Sequence, residues 1–251
     1  MMTTFHQILP PNQVGRDFVV GDLHGCLDLL ESELGQLQFD EQRDRLLSVG
    51  DLADRGPDSL GCLRLLRKPW FFPVRGNHEE MLLSYFLRDS SYHSQREFLI
   101  NGGEWVMHLA DAELEELRTD LLPRIQDLPY VITVENGNDT FHVAHAELTL
   151  ADNDLTECRL SHMAIELTWS RRLIRRVNLN TAAKQQTVFG TLAKSHEPWE
   201  SGMALRFVGH TPLPMLVMHR SHLFIDGGAF MREPHTGLQV LEVAEIFSAL
   251  L

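Results

Sequence analysis

The sequence is short of three things, and each shortage excludes a class of protein. Cysteine is scarce: Cys26, Cys62 and Cys158 are odd in number, widely spaced and never in a Cys-x-x-Cys pair. That excludes a disulfide framework and points to reduced thiols in the cytoplasm, with the side chains serving as small buried hydrophobes. Long apolar runs are missing too. Nowhere do 18 apolar residues follow one another, and Pro10, Pro11, Arg16 and Asp17 stand where a targeting segment would be apolar, so no membrane partner is expected. Positive charge is the third deficit. Lys and Arg number 22 against 35 Asp and Glu, and the formal charge of -13 repels polyanions, which excludes nucleic-acid binding through a broad basic face. What remains is a chain of 251 residues, 43% apolar, long enough to bury one substantial core, and a single domain over residues 1–251 is expected.

Against that background three stretches stand out: Gly21-Asp22-Leu23-His24-Gly25, Gly50-Asp51-Leu52-Ala53-Asp54-Arg55-Gly56, and Gly76-Asn77-His78-Glu79. Each follows a β-prone run, at Phe18 to Val20, Leu46 to Val49 and Trp70 to Val74. Each precedes a helix-like segment, at Cys26 to Leu37, Asp58 to Leu66 and Met81 to Leu87. Their first glycines stand 29 and then 26 residues apart, close to one strand-helix unit. If the strands are parallel, all three turns leave the same edge of a sheet, where open α/β proteins bind their ligands. That edge receives Asp22, His24, Asp51, Asp54, Arg55, Asn77 and His78, with Arg75 just before the last turn. Hard oxygen donors mixed with imidazole, and no thiolate, suit octahedral Mn²⁺ or a related ion better than structural zinc. The stretches therefore read as two metal ions and a phosphate. Pro73 places the third strand late or at an edge, and residues 1–13 read as a loose arm or an edge segment.

Residues 90–127 read as a helical excursion whose clearest helix is Ala110 to Ile125, with Glu113, Glu115 and Glu116 on a solvated face. Topology alone lets this excursion overlook the site. Tyr130 to Val134 and Thr140 to Ala144 form a hairpin around Asn136-Gly137. The second strand ends at His145, and His142 on the same strand is assigned no chemistry. Trp169-Ser170-Arg171-Arg172 introduces Arg175 and Arg176, four arginines within six positions of an acidic protein. Arg172, Arg175 and Arg176 are read equally well as a solvated face, as partners for carboxylates, or as part of a site. Residues 177–203 are a long polar stretch. Leu205 to Val208 is a strand ending at Gly209-His210, and Leu216 to Met218 and Leu223 to Ile225 are further strands, with His219 and His222 expected at the surface or in turns. Leu238 to Val243 is expected as the last strand, and the apolar tail is expected to pack.

The ordered set Gly-Asp-x-His-Gly, Gly-Asp-x-x-Asp-Arg-Gly and Gly-Asn-His-Glu resembles the signature of the phosphoprotein phosphatase group of metallophosphoesterases, and most of all the bacterial and bacteriophage lambda-type serine/threonine protein phosphatases. The resemblance occupies residues 21–79, with further matches to about residue 230. It implies an α/β fold, a metallophosphoesterase-like β-sandwich with a βαβαβ N-terminal half and helices on the outer faces. It also implies two divalent ions, Mn²⁺ first and Fe, Zn or Mg as alternatives. One ion falls to Asp22, His24 and Asp51, the other to Asp51, Asn77, His145 and His210. Arg55, Arg75, Arg171 and Asn77 would meet the phosphate of a phosphorylated protein or peptide. A hydroxide bridging the ions would attack in line, while His78, oriented by Asp54, protonates the leaving group. The sequence departs from the family at Asp226-Gly227-Gly228-Ala229, where Gly227 replaces a threonine. Two alternatives stand beside this reading. One is a symmetrical dinucleoside tetraphosphate hydrolase, against which Asp54, Arg55 and Glu79 weigh; the other is a catalytically silent metal-stabilised module that binds phosphoproteins.

Overall fold

The computed structural model describes residues 4–88, 91–177, 192–194 and 202–250, so most of the polar stretch 177–203 lies outside the described residues. The chain forms two mixed sheets. In the first, β2 (Asp17–Val20), β3 (Arg45–Ser48) and β4 (Phe71–Pro73) are parallel, and β11 (Val240–Glu242) closes the order β11-β2-β3-β4 antiparallel to β2. Pro73, which has no N–H for a further ladder, sits in the edge strand as its chemistry requires. The second sheet runs β1 (His6–Leu9), β5 (Val131–Val134), β6 (Phe141–Ala144), β8 (Leu205–Val208), β10 (His222–Phe224), β9 (Leu216–His219) and β7 (Leu192–Lys194). The N-terminal residues expected to be an arm or an edge supply its edge strand, β1, parallel to β5.

Period-2 alternation builds the layers. Val19 and Leu47 face the second sheet and pack with Ile132, Val143, Phe207 and Leu223, whereas Phe18, Val20, Leu46 and Phe71 face outward onto helices. Those helices include α1 (Leu27–Gln36), α2 (Ser59–Arg64), α3 (Asn77–Leu83) and α4 (Tyr92–Ile100). The expected long helix of the excursion is a continuous helical run from α5 (Asp111–Glu116) through residues 117–121 to α6 (Leu122–Gln126). The far face of the second sheet is covered by α7 (Glu157–His162) and α8 (Ala164–Trp169), through Leu160 and Leu167 against Val131, Ala144 and Phe224. The tail forms α9 (Val243–Leu250) and buries Val243 and Ile246 in the inter-sheet core. Each such fully buried side chain contributes about 1.5–3 kcal/mol.

Two expectations fail. His219 and His222 lie in strands and are 1% exposed, because β9 and β10 are interior members of a sheet covered on both faces. Cys26 and Cys62 are buried, but Cys158 is exposed on α7, whose inward face is carried by Leu160 instead.

Candidate metal centre

Six strand ends meet at one rim. β2 leads to Asp22 and His24, β3 to Asp51 through Arg55, and β4 to Asn77 and His78. From the other sheet, β6 leads to His145, β8 to His210 and β10 to Asp226. Two contacts fasten one sheet's ends to the other's: the His210 N–H donates to both Asp22 carboxylate oxygens at 3.1 Å, and His145 Nδ1 donates to the Val49 carbonyl at 2.8 Å. The approach is close enough to require glycine. A Cβ at Gly209 would lie 1.9 Å from Asp22 Oδ1, and one at Gly76 would lie 2.1 Å from Asp51 Oδ1. His24, Asp51, Asp54, Arg55 and His210 all adopt positive φ, between 41° and 72°. Such backbone persists in non-glycine residues only where the surroundings over-determine it. Glu79 is one source of that constraint. Its carboxylate accepts from the N–H groups of Asp51 at 2.9 Å, Leu52 at 2.8 Å and Gly76 at 2.8 Å, clamping the second turn to the third.

Asp51 is shared between two clusters. Its Oδ2 lies 3.6 Å from His24 Nε2 and 3.4 Å from His145 Nε2. His24, Asp51 and His78 form one group of potential ligands and Asp51, His145 and His210 another, with the ligand atoms of each within 4.8 Å of one another. Asp22 Oδ2 approaches the first group, 3.9 Å from His24 Nε2, and Asn77 Oδ1 approaches the second, 2.9 Å from both His145 Nε2 and His210 Nδ1. The structure thus brings Asp22, His24, Asp51, Asn77, His145 and His210 together.

The donor set fits cations. His24 Nδ1 faces the Ala53 carbonyl at 3.0 Å and His145 Nδ1 faces that of Val49, so both rings carry the proton on Nδ1 and turn an Nε2 lone pair inward. His145 Nε2 then meets Asn77 Oδ1 and Asp51 Oδ2 acceptor against acceptor, a repulsion that a cation between them removes. Burial lowers the pKa of His24, His145 and His210, the last to about 3, which keeps the three rings neutral and able to ligate. Burial and the charges of Asp226 and Asp51 push Asp22 well up; burial raises Asp226 to about 6 and, with Asp51, Glu79 to about 7. Asp51 goes the other way: burial would raise it, but its contacts with His145, His78 and His24, the His78 N–H donated to it among them, bring it down. Five carboxylates, on Asp22, Asp51, Asp54, Glu79 and Asp226, are at most 2% exposed, a concentration of potential negative charge that calls for positive charge nearby.

His78 is held by a second row of contacts. Its Nδ1 donates to Asp54 Oδ2 at 2.7 Å, and Trp105 Nε1 donates to Asp54 Oδ1 at 2.7 Å. Arg55 reaches both imidazoles, donating to His24 Nε2 at 2.9 Å and His78 Nε2 at 2.8 Å, while its guanidinium lies over the Phe230 ring. Burial alone would lower the His78 pKa, but Asp51 and Asp54 overcome it and raise it. Trp105, together with the Gly102 carbonyl that accepts from Arg55 N–H at 3.3 Å, gives the helical excursion direct contact with the site. Arg171 arrives from the other side, donating to Thr211 Oγ1 and to the His210 carbonyl, each at 3.2 Å. Arg75 does not join them. Its side chain is buried against Glu80, the Tyr130 hydroxyl and the carbonyls of Gln126 and Leu128, so its hydrogen bonds are spent on joining α3 to the end of the excursion.

Residues 18–224 match the model of the calcineurin-like phosphoesterases. The chain belongs to that family. Among phosphoesterase relatives, serine/threonine-protein phosphatase 1 of Salmonella typhimurium is 37% identical over 212 residues, 84% of this chain and 86% of its own. Serine/threonine-protein phosphatase 2 of Escherichia coli is 42% identical over 147 residues, 59% of this chain and 65% of its own, just under two thirds of that protein's length. The crystal structure of a candidate diadenosine tetraphosphatase superposes with a TM-score of 0.59 at 25% identity, covering 95% of this chain and 98% of that one.

Within this phosphoesterase, several site residues escaped the sequence. Trp105, Phe230 and the clamping role of Glu79 carry no local periodicity, and each acts on a partner far away in the chain; Asp226 joins the rim only because β10 lies beside β8. Glu147 belongs with them: its carboxylate accepts from Ser170 Oγ and from the N–H groups of Arg172, Leu173 and Ile174, holding the loop that delivers Arg171. The His145-Ala146-Glu147 turn was the one available signal.

Proposed function

We propose that this phosphoesterase hydrolyses phosphoserine and phosphothreonine monoesters in proteins or peptides, with phosphotyrosine as a further substrate. The observation that carries the reading is Asp51 lying between two ligand clusters with Arg55 beside them. Asp22, His24 and Asp51 would hold one divalent ion, and Asp51, Asn77, His145 and His210 the other, with Mn²⁺ matching the mixed oxygen and imidazole donors. When bound, the pair supplies charge neutralisation at the phosphoryl oxygens and acidifies water. The chain's own residues orient and protonate. Arg55 and Arg171 offer guanidinium forks to two phosphoryl oxygens. As Arg55 turns to the phosphate it frees the His78 Nε2 lone pair, which takes up a proton from solvent and then passes it to the departing serine or threonine oxygen. Asp54, fixed by Trp105, keeps the His78 ring in place. Water is the nucleophile, so no covalent phosphoenzyme forms. The three unpaired thiols support a reducing compartment, the cytoplasm.

Similarity to a serine/threonine-protein phosphatase over 84% of the chain supports this substrate class. A symmetrical dinucleoside tetraphosphate hydrolase is the second reading, favoured by the structural likeness over 95% of the chain. The deciding experiment compares turnover of a phosphoserine peptide, a phosphotyrosine peptide and a dinucleoside tetraphosphate under Mn²⁺. Phosphoserine peptide should be preferred, and a higher kcat/KM for the tetraphosphate overturns the proposal. A silent phosphoprotein-binding module is opposed by the complete set of ligands, acid and arginines, and turnover of p-nitrophenyl phosphate would dispose of it.

A further inference from the structure

Beside the candidate metal centre lies a pocket of about 260 Å³ whose lining includes Ile165, Glu166, Trp169, Arg171, Arg172 and Arg175. One end adjoins the ligands. The Trp169 ring is 5.9 Å from that of His210, and Arg171, which bonds the His210 carbonyl, is common to pocket and centre. Ile165 and Trp169 stand four apart on α8 and are 74% and 37% exposed, so one wall is apolar and accessible. Three of the remaining lining residues, Arg171, Arg172 and Arg175, are cationic. Arg172 and Arg175 are exposed, and their guanidinium groups make no ion pair among the described residues, although the chain carries 35 carboxylates and a charge of -13. The loop bearing them is not loose, because Glu147 fixes its amides.

We propose that this pocket receives the residue next to the phosphorylated one in a peptide substrate and selects an acidic side chain there. The inference rests on the phosphopeptide reading above. The occupant follows from the walls: Arg172 and Arg175 complement a carboxylate, Trp169 and Ile165 cover its methylene groups, and Glu166 accepts from a backbone N–H, which an extended peptide has and a polyphosphate lacks. Arg171, on the shared edge, sets the distance between the phosphoryl group and the flanking carboxylate.

The test measures Mn²⁺-dependent hydrolysis of three probes: a phosphoserine peptide flanked by Asp, the same peptide flanked by Lys, and p-nitrophenyl phosphate. The enzymes are the wild type, an Arg172→Ala/Arg175→Ala double variant and Arg175→Glu. Wild type should favour the Asp peptide by about tenfold in kcat/KM. The double variant should lose that preference through KM, Arg175→Glu should favour the Lys peptide, and p-nitrophenyl phosphate turnover should stay within about twofold throughout. Equal kcat/KM for the two peptides in the wild type overturns the proposal, as does a loss in the variants that is the same for all three probes. If the wild type cleaves the aryl phosphate but neither peptide, the phosphopeptide reading itself fails and this inference falls with it.

Discussion

The molecule contains two sets of histidines, and they are wired differently. At the rim, His24, His78, His145 and His210 gather around carboxylate and amide oxygens, and acceptors outnumber donors. Along the second sheet, the rings join a chain of side-chain contacts. His6 Nε2 meets Thr133 Oγ1 at 2.7 Å, Thr133 Oγ1 meets His142 Nδ1 at 2.7 Å, His142 Nε2 meets Asp152 Oδ1 at 3.2 Å, and Arg206 closes on the same oxygen at 2.6 Å. His222 ends in the Leu148 carbonyl at 3.0 Å. The second set runs from ring to ring as a line of contacts, whereas the first converges on shared acceptors. The backbone agrees, since His24 and His210 have positive φ while His6, His142, His219 and His222 sit in regular strands. An excess of acceptors on a contorted backbone, rather than the imidazoles themselves, distinguishes a metal centre from a polar seam.

Breaking that contrast should be easiest at Asp51. Asp51→Asn removes the carboxylate common to both clusters, so turnover should fall by about 10³-fold or more and metal analysis should show both ions weakened. Two tightly retained ions would contradict the sharing. His78→Asn comes next, with a loss of about 10²–10⁴-fold in turnover and metal content near wild type. Loss of metal as well would make His78 a ligand instead of an acid. Trp105→Phe removes only the N–H that holds Asp54, and a loss of about tenfold in kcat with unchanged unfolding is expected. The smallest effect belongs to the other set. Asp152→Asn should leave turnover untouched and cost about 1 kcal/mol of stability in denaturant titration, kept low because water reaches a third of that carboxylate. Burial raises the Asp152 pKa, but hydrogen bonds from His142 and the Ala204 N–H, with the charge of Arg206, bring it down to about 2. Its contribution is therefore complete above the usual carboxylate range near 4 and disappears as pH falls toward 2. The variant's unfolding midpoint should lack that part of the wild-type decline.

Much of the rim was legible because it is written locally. Glycine after a β-prone run, recurring at the interval of one strand-helix unit, located the turns at residues 21, 50 and 76, and Pro73 located the edge. Direction was not legible. Arg75 and Arg171 are the same residue type near the same centre, yet one is captured by carbonyls some 50 positions away and the other by the carbonyl of His210. His219 and His222 were misread because a polar residue flanking a short strand looks exposed until the sheet is known to be covered on both faces. Glu79 shows the same limit: a carboxylate that fastens one loop to another has no periodicity, and only the assembled fold reveals its partners.

Two imidazoles of the centre hang from neighbouring parallel strands, β6 and β8, paired Phe141 to Leu205 and Val143 to Phe207, with the Gly209 amide bonded to the His145 carbonyl. Backbone ladders hold them abreast regardless of what is spelled out in the sixty-odd positions that connect them. The exposed positions of that interval, the docking wall among them, are therefore free to change while the two imidazoles stay side by side.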